Sequence, residues 1–156
     1  MRDRIHIPAV AVTRTLAAVA LLAVGAVHYQ QYEYNFYSTV PTIGPLFLFN
    51  FIAATGLGLW LLATPMIRLG RLRQPLDRLA ALGGIAVAAG ALVALLISEH
   101  TPLFGFREYG YRPAIVLALA FEAAAILLLS AYLWETRNNT RRVRAGGMQA
   151  PYPEPR

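Results

Sequence analysis

The sequence predicts an all-α integral membrane four-helix bundle in an N-in/C-in orientation, and three observations lead there. Of its 156 residues, 57% are hydrophobic and only 14% charged, a departure from soluble composition in the membrane direction. The apolar residues are gathered into four runs of roughly 20 residues or more, the length that a ~30 Å hydrocarbon core requires. The fourteen basic residues, all Arg, punctuate those runs unevenly, with twelve on one side and two on the other.

Residues 1–9 read as a short cytoplasmic amino terminus carrying Arg2 and Arg4. A bundle over residues 10–134 follows. Span one is expected at about Val10 to Tyr29, span two at Ile43 to Ile67, span three at Leu76 to Ser98, and span four at Pro113 to Trp134. Pro45, Pro75 and Pro113 fall in the first turns of the last three spans, where a missing backbone donor costs least. Residues 135–156 turn basic and then Pro-rich, which predicts a disordered cytoplasmic tail. Short cytoplasmic segments retain Lys and Arg during insertion, so the arginine-rich side is inside. Tyr29, Tyr32, Tyr34, Tyr37, Tyr109 and Tyr111 then mark the outer interface, and Trp60, Tyr132 and Trp134 the inner one. The alternative for span one is a cleaved signal peptide, since Arg2 and Arg4 precede an apolar stretch ending in small residues around Ala23 and Gly25.

Composition also removes several function classes. The net charge of +6 is spread between spans and forms no basic patch interleaved with stacking aromatics, which argues against nucleic acid. There is no Cys, so disulfides, thiol catalysis and cysteine-ligated metals are excluded. No nucleophile elbow or phosphate-cradling glycine loop is present, and Gly56-Leu57-Gly58 lies within a span, where it cannot serve as a dinucleotide turn.

Glu122 is the most informative residue. Nine residues beyond Pro113, it lies about 13 Å down span four, near the bilayer midplane at ~1.5 Å per residue. An ionised carboxylate there is expensive, which predicts a protonated, hydrogen-bonded acid. Its helical stripe of Ala114, Ala118, Ile126 and Ser130 is mostly small, so the acid is expected to face the bundle. Asn50 in span two continues through Ala54 and Gly58, and it or a backbone carbonyl is the expected acceptor of the Glu122 proton. Asn50 alone can equally be interhelical glue, as can Glu122. Arg14 is expected to snorkel inward, with an ion pair to Glu122 as the alternative.

On the outer face, His28 ends span one and His100 follows span three at similar depth, with Glu33, Glu99 and Glu108 in the same layer. His28, His100 and Glu99 are candidate ligands for a divalent metal, and the two imidazoles for a haem. The plainer reading places each His at a helix carboxyl end, where the dipole favours it. Residues 30–42 alternate aromatic and polar side chains, which predicts an extended segment along the headgroups or the lining of an aromatic mouth. The loop over residues 99–112 would cap such a mouth, with Glu33, Arg107 and Glu108 as its charged rim.

With His28, the run Pro41-Thr42-Ile43-Gly44-Pro45-Leu46-Phe47 and the loop Leu103-Phe104-Gly105-Phe106-Arg107-Glu108, the chain resembles small uncharacterised four-span membrane proteins of high-GC bacteria. The resemblance spans about Thr15 to Leu133 and implies topology only, because that group supplies no activity or cofactor to carry over. More remotely, the layout is similar to DoxX-like membrane proteins. The first functional expectation is a non-catalytic accessory or assembly subunit in the plasma membrane, docking on a membrane-protein partner or a second copy of itself. The second is a transporter-like or small-molecule-binding bundle in which Glu122 and Asn50 line an outward-opening cavity for lipid, quinone or a cation. The third is a metal- or haem-binding redox protein using the outer histidines.

Overall fold

The computed structural model, which describes residues 8–105, 107 and 112–147, is built from four long α-helices. They are α1 (Ala9–Tyr34), α2 (Ile43–Ala63), α3 (Arg73–His100) and α4 (Pro113–Gly147), and each is long and apolar enough to cross a membrane. Their chemistry explains the choice. In the helices that these runs of Ala, Leu, Val and Ile form, the interior backbone N–H and C=O groups bond within the segment itself. The apolar side chains face outward as much as inward: only 17% of the most apolar stretch of α2 is buried inside the protein. Leu16, Val19, Phe49, Ile52, Leu79, Leu82 and Leu127 are all exposed, an apolar outer surface compatible with a transmembrane bundle.

The helices form a ring. α1 packs on α2 and α4, α3 packs on α4 and α2, and α1 barely touches α3 across the diagonal. Successive helices are therefore antiparallel neighbours, as short connections require. Close approach is set by glycine at particular points. A Cβ on Gly25 would collide with Thr55 Oγ1, and one on Gly84 would lie 2.8 Å from Leu129 Cδ1 and 3.0 Å from Leu21 Cδ1. Leu21, Leu61 and Leu129, all fully buried, fill the half of the bundle nearer the chain termini.

At the other end, which we term the upper end, the α1–α2 and α3–α4 connections meet. Tyr37–Thr39 form a 3-10 turn, and α2 is entered through a γ-turn in which the Ile43 N–H donates to Pro41 O at 2.7 Å. Thr42, at its centre, has φ 67° and ψ −45°, near the values of the rare strained γ-turn and unfavourable for a β-branched residue. Phe36 and Phe104 also adopt positive φ, so three strained non-glycine residues frame this end.

Several boundaries differ from those read in the sequence. α1 continues through Tyr34, so residues 30–34 are helical rather than extended, and the segment closes in a 3-10 turn. The α-helix of span two stops at Ala63, followed by a 3-10 turn Thr64–Met66. α4 runs to Gly147, so residues 135–147 are helical and not disordered. The overhang is tied back to the bundle: Thr13 donates to Glu135 Oε1 at 3.2 Å, and Gln74 donates to Thr140 Oγ1 at 3.0 Å. Residues 1–7 and 148–156, with Arg2, Arg4 and Arg156, lie outside the described residues.

Candidate functional site

Between the four helices at the upper end lies a cavity of about 110 Å³. It exists because the facing positions there are small. Ala91 and Ala94 of α3 and Ala114 and Ala118 of α4 line it beside larger residues such as Leu46, Leu95 and Ile115. Phe47 and Tyr37 form one wall, stacked with ring centroids 4.8 Å apart and an interplanar angle of 17°. Tyr37 is held by Arg112, whose Nη2 donates to its hydroxyl at 2.7 Å.

Polar side chains gather in the same space. Glu122, 1% exposed, faces inward from α4, where the small-residue stripe places it. Its nearest ionisable partner is His28 of α1, with Nε2 3.7 Å from Glu122 Oε1, just beyond hydrogen-bond reach. His28 is itself buried and tilts against Phe47 at a centroid distance of 5.3 Å. Its Nδ1 lies 2.9 Å from Val24 O. A carbonyl only accepts, so Nδ1 carries the hydrogen, and a neutral His28 turns a lone pair toward Glu122. Two lone pairs facing each other repel. One shared proton makes the pair attractive, as carboxylic acid facing imidazole or as carboxylate facing imidazolium.

Three further atoms are left incomplete around this pair. Glu122 Oε2, Asn50 Oδ1 and Gln31 Nε2 are buried and have no hydrogen-bond partner within the protein, although all three residues line the cavity. A buried polar group without a partner costs about 1–3 kcal/mol. The cavity thus presents three polar atoms whose hydrogen-bonding capacity the chain leaves open.

The expected arrangement is thus met in part. Glu122 and Asn50 share one cavity, but no hydrogen bond joins them, and the acid faces His28 instead. Nor does Glu122 pair with Arg14, which lies in the lower half near Tyr132. His28 is not at a helix end, because α1 extends six residues past it. His100 is exposed, with Nδ1 2.8 Å from Leu96 O, and does not share the cavity with His28. Among the described residues, no three His, Asp or Glu side chains gather in a group that could hold a metal ion. Glu33 and Arg107 are exposed, Leu103 from the 99–112 loop lines the cavity, and Glu108 lies outside the described residues.

Gln31 and Ser98 also line the cavity and were not singled out in the sequence, and Tyr37, expected at the outer interface, is buried against it. Gln31 is three residues after His28 and so shares its helix face, a signal present once α1 is known to continue. A second polar cluster, at the lower end, is equally unforeseen. Asp77, 3% exposed, lies 3.7 Å from Arg73 Nε one turn earlier, and Tyr132 sits in the field of Asp77, Arg14 and Arg73. Tyr132 is buried, where an interfacial position was expected. No family model, curated protein or solved structure matches the chain.

Proposed function

We propose that this chain is a multi-pass plasma-membrane protein with both termini cytoplasmic, and that its upper cavity binds a small molecule. The observation that supports this most directly is the convergence of Glu122 Oε2, Asn50 Oδ1 and Gln31 Nε2, all buried and unpartnered, on a space walled by alanines and two stacked aromatics. Such a lining, apolar with a few convergent polar groups, is that of a ligand pocket. Binding of that molecule, for carriage or sensing, is the activity this reading assigns.

The test uses three one-ring probes, benzyl alcohol, benzylamine and benzoate, on the purified full chain in mild detergent. At least one should raise the thermal unfolding midpoint of the wild type. None should do so in Ala118→Phe, whose ring would fill the cavity. If no probe acts on a folded wild-type protein, the reading fails.

A second reading, as a subunit docking on a partner or on a second copy, is favoured by the outer face of α3. A Cβ on Gly90 would meet nothing within 4 Å, and Ala86, one turn earlier, is exposed as well. Small residues spaced by four let another helix approach closely. The chain has no Cys, so a Gly90→Cys variant that forms disulfide-linked dimers in membranes would support that reading, and one that stays monomeric would remove it.

A further inference from the structure

Resting on that ligand-binding reading, the geometry points to the class of ligand: a small primary amine in its ammonium form, taken up by Glu122 in exchange for the proton it shares with His28.

The acceptors decide the head group. Three groups lining the cavity offer lone pairs without a hydrogen-bond partner. They are Glu122 Oε2, Asn50 Oδ1 and, in the tautomer fixed by Val24, His28 Nε2. An alkylammonium has three N–H donors and no acceptor, so one head group can answer all three. A neutral alcohol brings one donor and leaves two acceptors bare. An anion would meet these acceptors with the Gln31 Nε2 amide as the one unpartnered donor and no cation, because neither Lys nor Arg lines the cavity among the described residues. Arg112 donates to the Tyr37 hydroxyl.

Charge gives the same answer. A carboxylate taken out of water needs a counter-charge or a proton. Around Glu122, the titratable groups facing the cavity are His28 from α1 and Tyr37 from the α1–α2 connection; α2 and α3 contribute none among the lining residues. When the shared proton leaves, an arriving ammonium restores neutrality. The Phe47 and Tyr37 rings beside it add cation–π attraction.

Size limits the remainder of the molecule. An enclosed cavity of roughly 150 Å³ holds one benzene ring, so about 110 Å³ takes the head group with a short branched alkyl group, and a ring would extend partly out through the opening. The alanines of α3 and α4 would face it.

Calorimetric titration of the full chain in detergent with benzylamine, benzyl alcohol and benzoate tests this at about pH 6 and about pH 8, a range in which an alkylamine, like Lys, keeps its proton. Benzylamine should bind at least tenfold more tightly than benzyl alcohol, and more tightly at the higher pH. In Glu122→Gln, that preference should vanish while benzyl alcohol binding persists. Buffers of differing ionisation enthalpy should report proton release on benzylamine binding to the wild type, a readout that holds even if the variant does not fold. Equal binding of benzyl alcohol and benzylamine, a preference for benzoate, or no proton release at either pH would each overturn the amine assignment while leaving a ligand site. Binding of none of the three would overturn the site itself.

Discussion

Gly44→Ala tests how the cavity mouth is built. A Cβ added at Gly44 would lie 2.7 Å from Tyr37 O, 3.1 Å from Ser38 Cα and 3.2 Å from Ser38 O. All three are backbone atoms, so no side-chain rotation relieves the clash. Ordinary contact begins at 3.4 Å, and the difference from 2.7 Å requires the 3-10 turn to retreat by about 0.7 Å. Overpacking of this kind costs about 1–3 kcal/mol, or roughly 5- to 150-fold in the folding equilibrium at about 1.4 kcal/mol per decade. Gly44 is in the first turn of α2, where the gain in helix propensity is small. Gly56 in the middle of the same helix is the control. Nothing lies within 4 Å of its added Cβ, so Gly56→Ala should be neutral or stabilise by up to about 1 kcal/mol. Reversible unfolding in mixed micelles, followed by the fluorescence of Trp60 and Trp134, measures both. Because the retreat pulls Tyr37 from Phe47 and Arg112, Gly44→Ala should also weaken binding of the one-ring probe that stabilises the wild type. A Gly44→Ala protein as stable as Gly56→Ala, with unchanged probe binding, would refute the reasoning.

Three other perturbations have definite expected outcomes. Leu129→Ala removes a fully buried side chain packed against Gly84 and should destabilise the bundle by about 2–5 kcal/mol in the same unfolding assay. Asn50→Leu replaces an amide whose Oδ1 has no partner. Ligand-free stability should change by no more than about 1 kcal/mol, while benzylamine binding weakens. For topology, the absence of native Cys allows single-cysteine labelling in intact cells. Ser38→Cys at the upper end should react with a membrane-impermeant thiol reagent, and Met66→Cys, whose position is exposed at the lower end, only after permeabilisation; the reverse pattern would invert the orientation.

The helices were legible because hydropathy is a local property, and the runs that became α1 to α4 differ from expectation mainly at their ends. Those ends depend on contacts far along the chain. Residues 30–34 carry polar and aromatic side chains that suit an interface, yet they stay helical with Gln31 buried against the cavity. Glu122 was readable from depth and from its small-residue stripe. Its partner was not: His28 and Glu122 are 94 positions apart, and only the packing of α1 on α4 brings them together. Tyr37 likewise owes its place to Arg112, 75 residues away. Asp77 is different. Its spacing of four from Arg73 is visible in the sequence as a pair on one helix face, and it stands inside the first turns of an apolar span.

Four cylinders set at the corners of a square leave an axial gap that side chains alone can plug. In this chain Leu21, Leu61 and Leu129, fully buried, close the lower portion, while the upper portion keeps an open space, so the interior is shaped like a test tube. In the proposed binding role, a molecule held in that space has no open path past these leucines. Passage to the far side would require Leu21 and Leu129 to part around Gly84, which makes those three positions the stopper of the vessel.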